Sequence, residues 1–132
     1  MQQPKWKVVV TDYEYEDLRY EEEVLSALGP DLELVKNVQC RTETEVIEAC
    51  RDADAILNTY APLGEKVIEN LQKCQVISRF GVGVNTVDIP AATKKGIYVA
   101  NVPDYCMDEV SDHALALLLS WARKVTLLNQ QI

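Results

Sequence analysis

The run Gln75-Val76-Ile77-Ser78-Arg79-Phe80, followed at once by Gly81-Val82-Gly83, sets the architecture. Its apolar, β-branched residues suit a strand, and the glycines allow a sharp turn directly after it. Upstream, Ala53 to Thr59 reads as a second such strand and Lys7 to Thr11 as the first in the chain. A continuous apolar run between polar residues suits a strand buried on both faces, as in a parallel sheet. Leu32 to Val38 alternates apolar with polar residues as an edge strand would, and Ile97 to Ala100 supplies a fifth.

Helical signals fill the intervals. Leu18, Val24, Leu25 and Leu28 recur near helical spacing among Glu21, Glu22 and Glu23, and Gly29-Pro30 stops them. Thr42 with Glu45 is a capping-box start for a helix through Cys50. After the break at Pro62-Leu63-Gly64, Val67, Ile68 and Leu71 fit a short amphipathic helix. Pro90 suits the first turn of a helix, where its missing N–H costs nothing, and Gly96 suits a left-handed C-cap. Strand and helix alternating over short connections predict an α/β fold, a doubly wound parallel sheet of about five strands.

The pattern changes after Asn101-Val102-Pro103. Asp104, Asp108 and Glu109 lead a long helix that closes on Arg123 and Lys124, acids and bases matching the helix dipole. From Ala114 to Leu119 this helix is apolar on nearly every face, which a single packing partner cannot satisfy. It is expected to be buried against two surfaces, its own domain and a second domain or subunit, so self-association through Asp108 to Val125 is predicted.

Composition narrows the function. The 132 residues are 48% hydrophobic and 26% charged, enough apolar material for one buried core. Twenty-one acids against thirteen Lys and Arg give a net charge of -8, and no basic patch offsets it, which argues against nucleic acid and anionic membrane partners. The apolar stretch at the N-terminus is too short for a signal peptide, and the run Ala114 to Leu119 is far below the ~20 residues of a membrane span. The expected location is the cytoplasm. Cys40, Cys50, Cys74 and Cys106 form no CxxC pair, so they read as reduced, partly buried thiols, with no disulfide frame and no metal site.

In an open parallel sheet, ligands bind at the carboxyl ends of the strands. The loops there are Asp12-Tyr13, Tyr60 to Leu63, and Phe80 to Asn85. The last turns on Gly81-Val82-Gly83, where backbone N–H groups can form a nest for a carboxylate or phosphate. A plain tight turn and a dinucleotide fingerprint are the rival readings. The fingerprint fails because Thr86 stands where its third glycine belongs and Val87-Asp88-Ile89-Pro90 delays the helix. The sole histidine, His113, lies on the long helix and reads as a packed or hydrogen-bonded residue rather than a general base. Asp12 ends a strand as a phospho-acceptor would, but Asn58 and Thr59 stand where that reading wants an Asp. Glu14 to Glu23 is a solvated approach and helix face, and Tyr13, Tyr15 and Tyr20 beside it read as half-buried packing.

Taken in order, Ser78 to Ile89, Ala91-Ala92, Lys95-Gly96-Ile97, Asn101-Val102-Pro103 and Val110 to Leu119 resemble the D-isomer-specific 2-hydroxyacid dehydrogenases. That family includes phosphoglycerate dehydrogenase, glyoxylate reductase and the C-terminal-binding-protein corepressors. The resemblance is dense from Ala53 to Val125 and looser before that. Val102 to Cys106 and Asp112 to Leu117 are most similar to bacterial relatives of the corepressor branch.

The resemblance implies a flavodoxin-like substrate domain over residues 1–101 and a hinge at Asn101 to Pro103. Residues 102–132 would then hold that hinge and the first helix of an NAD-binding Rossmann domain, whose glycine fingerprint and catalytic residues are expected beyond Ile132. It implies that the backbone N–H groups of Val82 and Gly83 bind the substrate carboxylate, that Val82 also lies close to the nicotinamide of NAD, and that the loop from Tyr60 to Leu63 closes over the substrate. The parent would interconvert a D-2-hydroxy acid and a 2-keto acid, with these 132 residues inactive alone. The alternative is a non-catalytic flavodoxin-like module that binds a small carboxylate or, as the corepressors do, a peptide.

Overall fold

The computed structural model describes residues 6–36 and 39–131. Strands β1 (Trp6–Val10), β2 (Leu32–Val35), β3 (Ala55–Asn58), β4 (Val76–Arg79) and β5 (Tyr98–Ala100) form one parallel sheet in the order β2-β1-β3-β4-β5. This is the flavodoxin-like order, with its switch point between β1 and β3. The expected edge strand Leu32 to Val38 is shorter than its pattern suggested: it ends at Val35, and Asn37 and Val38 lie outside the described residues.

The register explains why β-branched residues dominate these strands. Val35, Val9, Ile56, Ile77 and Val99 form one continuous row across all five strands. On that face they meet α2 (Glu43–Cys50), α3 (Glu65–Asn70) and α4 (Ile89–Lys95), whose Val46, Ile47, Val67, Ile68 and Ala92 complete the core. Burying each such branched side chain contributes roughly 1.5–3 kcal/mol. The opposite face is only half covered. Beneath α1 (Arg19–Ser26), Val8 and Val10 are buried, but along the aligned row Val8, Ala55, Val76 and Tyr98 exposure grows toward β5, where Tyr98 is open.

The local signals match at α2 and α4. Thr42 accepts the Glu45 N–H while the Glu45 carboxylate accepts the Thr42 N–H, closing the capping box. Pro90 sits in the first turn of α4, and Gly96 caps its end with φ 74°. Two helices depart from expectation. Val24 in α1 and Leu28 just beyond it are exposed, so the apolar stripe is not a buried face; Leu18, just before the helix, takes the core position instead.

The long helix α5 runs Met107–Ala122 and does not reach Val125: Lys124 turns left-handed with φ 53°, and a separate short helix α6 (Val125–Asn129) follows. The β-branched Val125 and Thr126 after the break have modest helix propensity. Arg123 and Lys124 therefore sit beyond the last turn rather than in it, although Asp108 and Glu109 occupy the first. The expected burial of this helix against its own domain is not found: neither α5 nor α6 has a buried residue. Among the described residues no helix is long and apolar enough to cross a membrane.

Candidate functional site

The carboxyl ends of β1, β3 and β4 carry polar residues where the strands themselves are apolar: Asp12 follows β1, Asn58 ends β3 and Arg79 ends β4. The turn after β4 is fixed from three sides. Phe80 N–H donates to the Asn58 carbonyl (2.8 Å), Val102 N–H to the Gly81 carbonyl (3.1 Å), and Asn101 Nδ2 to the Val82 carbonyl (2.7 Å). Residue 81 favours glycine because its φ is 156°, and a Cβ there would also stand 2.6 Å from Arg79 Nη1 and push that guanidinium aside.

With the carbonyls of the turn engaged, its remaining donors are left over. Among the described residues, neither the Val82 nor the Gly83 N–H donates to a protein acceptor, and Val82 is 43% exposed. The half-buried Arg79 uses Nε to reach the Thr59 carbonyl (3.1 Å), and its guanidinium lies against Gly81 and within 3.8 Å of the Cβ position at Gly83. Among the described residues it forms no ion pair. Two N–H donors and a cation on one turn make an anion-binding arrangement, in which a carboxylate gains charge-assisted bonds.

The Tyr60 loop joins this turn through its backbone. Tyr60 N–H donates to Asp12 Oδ2 (2.7 Å) and Thr59 N–H to Asp12 Oδ1 (3.1 Å), while Asn58 Nδ2 holds the Ala61 carbonyl (2.9 Å). Leu63 pairs with the second loop through Thr86 and Asp88, both near 2.9 Å, so the far end of the segment is pinned. The Tyr60 side chain is left exposed at the edge. In the segment between β5 and α5, Tyr105 lies within electrostatic reach of Tyr15 and Arg79; its phenol is held above the usual range by a hydrogen bond with Cys106 and by that thiol's charge. Tyr15 itself is exposed but stands edge-on to Phe80 at 5.9 Å.

Several residues were misjudged or missed by sequence reasoning. His113 is exposed on α5 rather than packed. Of the tyrosines near the acid run, Tyr13 is half-buried as expected, whereas Tyr15 and Tyr20 are exposed. Asp12, set aside as a phospho-acceptor, is 1% exposed with both carboxylate oxygens occupied by loop donors. Arg79 and Asn101, quoted within the sequence motifs, were given no binding role; the available signal was a polar residue at each strand's carboxyl end, where this sheet type binds ligands. The turn is no dinucleotide fingerprint: α4 does not start until Ile89, and the Asp88 carboxylate already accepts from its Ala91 N–H (2.9 Å), filling the place a pyrophosphate would take.

The geometry has counterparts among known proteins. Residues 8–129 match the family described as D-isomer specific 2-hydroxyacid dehydrogenase, catalytic domain, and the chain belongs to this family. It is 35% identical over 120 residues to D-3-phosphoglycerate dehydrogenase of Methanocaldococcus jannaschii, covering 90% of this chain and 22% of that protein. It is 35% identical over 82 residues to glyoxylate reductase of Pyrococcus furiosus, covering 61% of this chain and 24% of that one. Among solved structures, NAD+-bound 3-phosphoglycerate dehydrogenase of Entamoeba histolytica superposes with a TM-score of 0.76 at 25% identity, over 87% of this chain and 38% of that chain. The chain thus spans well under half the length of the relatives it matches, which are dehydrogenases and reductases.

Proposed function

We propose that this chain is the carboxylate-holding part of a parent enzyme that interconverts a D-2-hydroxy acid and a 2-keto acid with NAD. The observation that carries the reading is the pair of N–H groups on Val82 and Gly83, unused among the described residues, beside an Arg79 guanidinium that forms no ion pair among them. The substrate carboxylate accepts from both N–H groups, and Arg79 offsets its charge. Held by fixed donors, the carboxylate orients carbon 2 for reaction, and Tyr60 covers it from the β3 side. When bound, NAD supplies or accepts the hydride; the exposed Val82 side chain gives its ring an apolar contact.

The proposal divides the chain into a substrate domain at 1–101 and, at 102–132, a hinge with the first helix of a cofactor domain. It places the phosphate-holding glycine turn and the proton-transferring groups outside these residues, because α4 fills its own N-terminus and His113 stands on the exposed α5. We further propose that helix α5 (Met107–Ala122) mediates homodimer formation, because its Leu115, Leu118 and Trp121 are bare. The parent is assigned to the cytoplasm, where Cys40, Cys50 and Cys74 stay reduced.

Titration of the 132-residue protein with glyoxylate, followed by amide NMR, tests the site. Val82 and Gly83 are expected to shift saturably, while chloride at equal ionic strength leaves them in place. Arg79→Ala is expected to weaken binding roughly 10-fold or more, as the loss of a charge-assisted bond requires. Shifts absent from both amides would sink the reading. The same protein is expected not to oxidise NADH with glyoxylate, pyruvate or hydroxypyruvate, and turnover would refute the assignment of the catalytic groups elsewhere. Light scattering is expected to show self-association that rises with concentration; a monomer throughout would remove the dimer proposal.

A further inference from the structure

Asp12 is a carboxylate almost wholly withdrawn from water, 1% exposed, and no cation pairs with it among the described residues. Its charge is met by donors instead. Oδ1 accepts from Thr11 Oγ1 (2.8 Å), Thr59 N–H (3.1 Å) and Asn58 Nδ2 (3.4 Å), and Oδ2 accepts from Tyr60 N–H (2.7 Å). Thr59 Oγ1 returns a bond to the Asp12 carbonyl (3.0 Å). The strand pairing of β1 with β3 needs none of these side-chain bonds, so they serve the loop beyond it.

One peptide unit connects this cluster to the anion-holding turn. Tyr60 N–H and the Thr59 carbonyl belong to the same planar group, and in a trans peptide they point in opposite directions. Asp12 Oδ2 takes the N–H on one side, and Arg79 Nε donates to the carbonyl on the other at 3.1 Å. Fixing one end of a rigid plane fixes the other. A carboxylate at the N–H end also polarises the carbonyl, which strengthens its bond to the guanidinium.

We infer that Asp12 is a positioning residue for the substrate-holding turn, acting through the Thr59–Tyr60 peptide to aim Arg79 at the anion held by Val82 and Gly83. This rests on the proposed carboxylate site, but the relay is measurable without a ligand. In Asp12→Asn the amide presents N–H atoms or a weaker acceptor to backbone donors, so the plane loses its anchor while the side chain keeps its size.

The test follows the Arg79 Nε–H resonance and glyoxylate affinity in wild type and Asp12→Asn, with urea unfolding to show that the variant folds. Exchange of Arg79 Nε–H is expected to accelerate about 10-fold and glyoxylate binding to weaken about 10-fold, each the equivalent of one net hydrogen bond to a charged group. A folded Asp12→Asn protein with unchanged Arg79 Nε–H exchange overturns the inference. Loss of Arg79 protection in a protein whose wild type binds no glyoxylate supports the relay and removes the carboxylate reading instead. Should Asp12→Asn not fold, Thr59→Val carries the test, since it removes the hydroxyl strap to the Asp12 carbonyl while keeping the branched side-chain volume. It is expected to speed Arg79 Nε–H exchange about threefold, in keeping with a neutral hydrogen bond, and unchanged exchange there likewise overturns the inference.

Discussion

The sheet and the helix α5 are built from the same kind of residue and meet opposite fates. Ile56 and Ile77 are 0% exposed between strands and helices, whereas Leu117 and Leu118 on α5 remain 59% and 58% exposed. Each strand of the sheet presents its apolar face to neighbours supplied by the next few dozen residues, so its burial is settled within the chain. The apolar residues of α5 come after β5, pack mainly beside α6, and none of them is buried. Apolar composition therefore states that a surface wants covering, and only topology says what covers it.

Paired substitutions break or sharpen that comparison most strongly. Ile56→Ala opens a cavity in the packed row and is expected to cost about 2–5 kcal/mol in urea unfolding. Leu118→Ala at low protein concentration is expected to stay within roughly 0.5 kcal/mol, because little is packed against it. Equal costs would show that α5 is covered in the folded species. The difference between them should narrow as concentration rises, if a second copy covers the helix.

The next effect separates the two regions by pH. In the sheet domain, burial first and the charges of Cys40 and Cys74 second push the Cys50 thiol up to about 12, and burial pushes Cys74 to about 11, from an ordinary value of 9.0. Both are raised, so the folded state keeps protons that the unfolded chain releases. Their stabilisation is fully present below pH 9 and is lost as pH rises from there through about 11 and 12. Cys50→Ala is expected to flatten this alkaline decline, read as unfolding midpoint against pH. An unchanged slope would mean that Cys50 is not sealed in the core. Cys106, half-buried at the start of α5, is expected to react with iodoacetamide first, before either core thiol.

Much of the sheet was legible because its signals are local. The β-branched runs, Thr42 with Glu45, Pro90 and Gly96 each act within a few residues, and each did what its chemistry dictates. The glycine turn was legible for the same reason. Arg79 and Asp12 were not, because their meaning depends on strand order: β1, β3 and β4 must lie side by side before residues 12, 59 and 79 can meet. The C-terminal end of α5 escaped as well, since a helix with no packed face offers no tertiary contact to fix where it breaks.

The smallest expected effect tests whether a local signal matters only where its element is packed. Thr42→Ala removes the side chain that accepts the Glu45 N–H and is expected to cost about 1 kcal/mol, because α2 carries Val46, Ile47 and Cys50 into the core. The Arg41 and Thr42 N–H groups, with the Thr42 hydroxyl, hold the Glu45 carboxyl below its usual range. A depressed carboxyl stabilises the fold above its ordinary value and loses that contribution as pH falls through the depressed one, so Thr42→Ala should soften the acid limb slightly. On α5 the N-cap Cys106 makes no side-chain cap bond, and no buried residue ties the helix to the core. Cys106→Ala is accordingly expected to leave the urea midpoint unchanged. A midpoint that moved as far as in Thr42→Ala would place the N-terminal end of α5 within the cooperative unit and erase the contrast between the two regions.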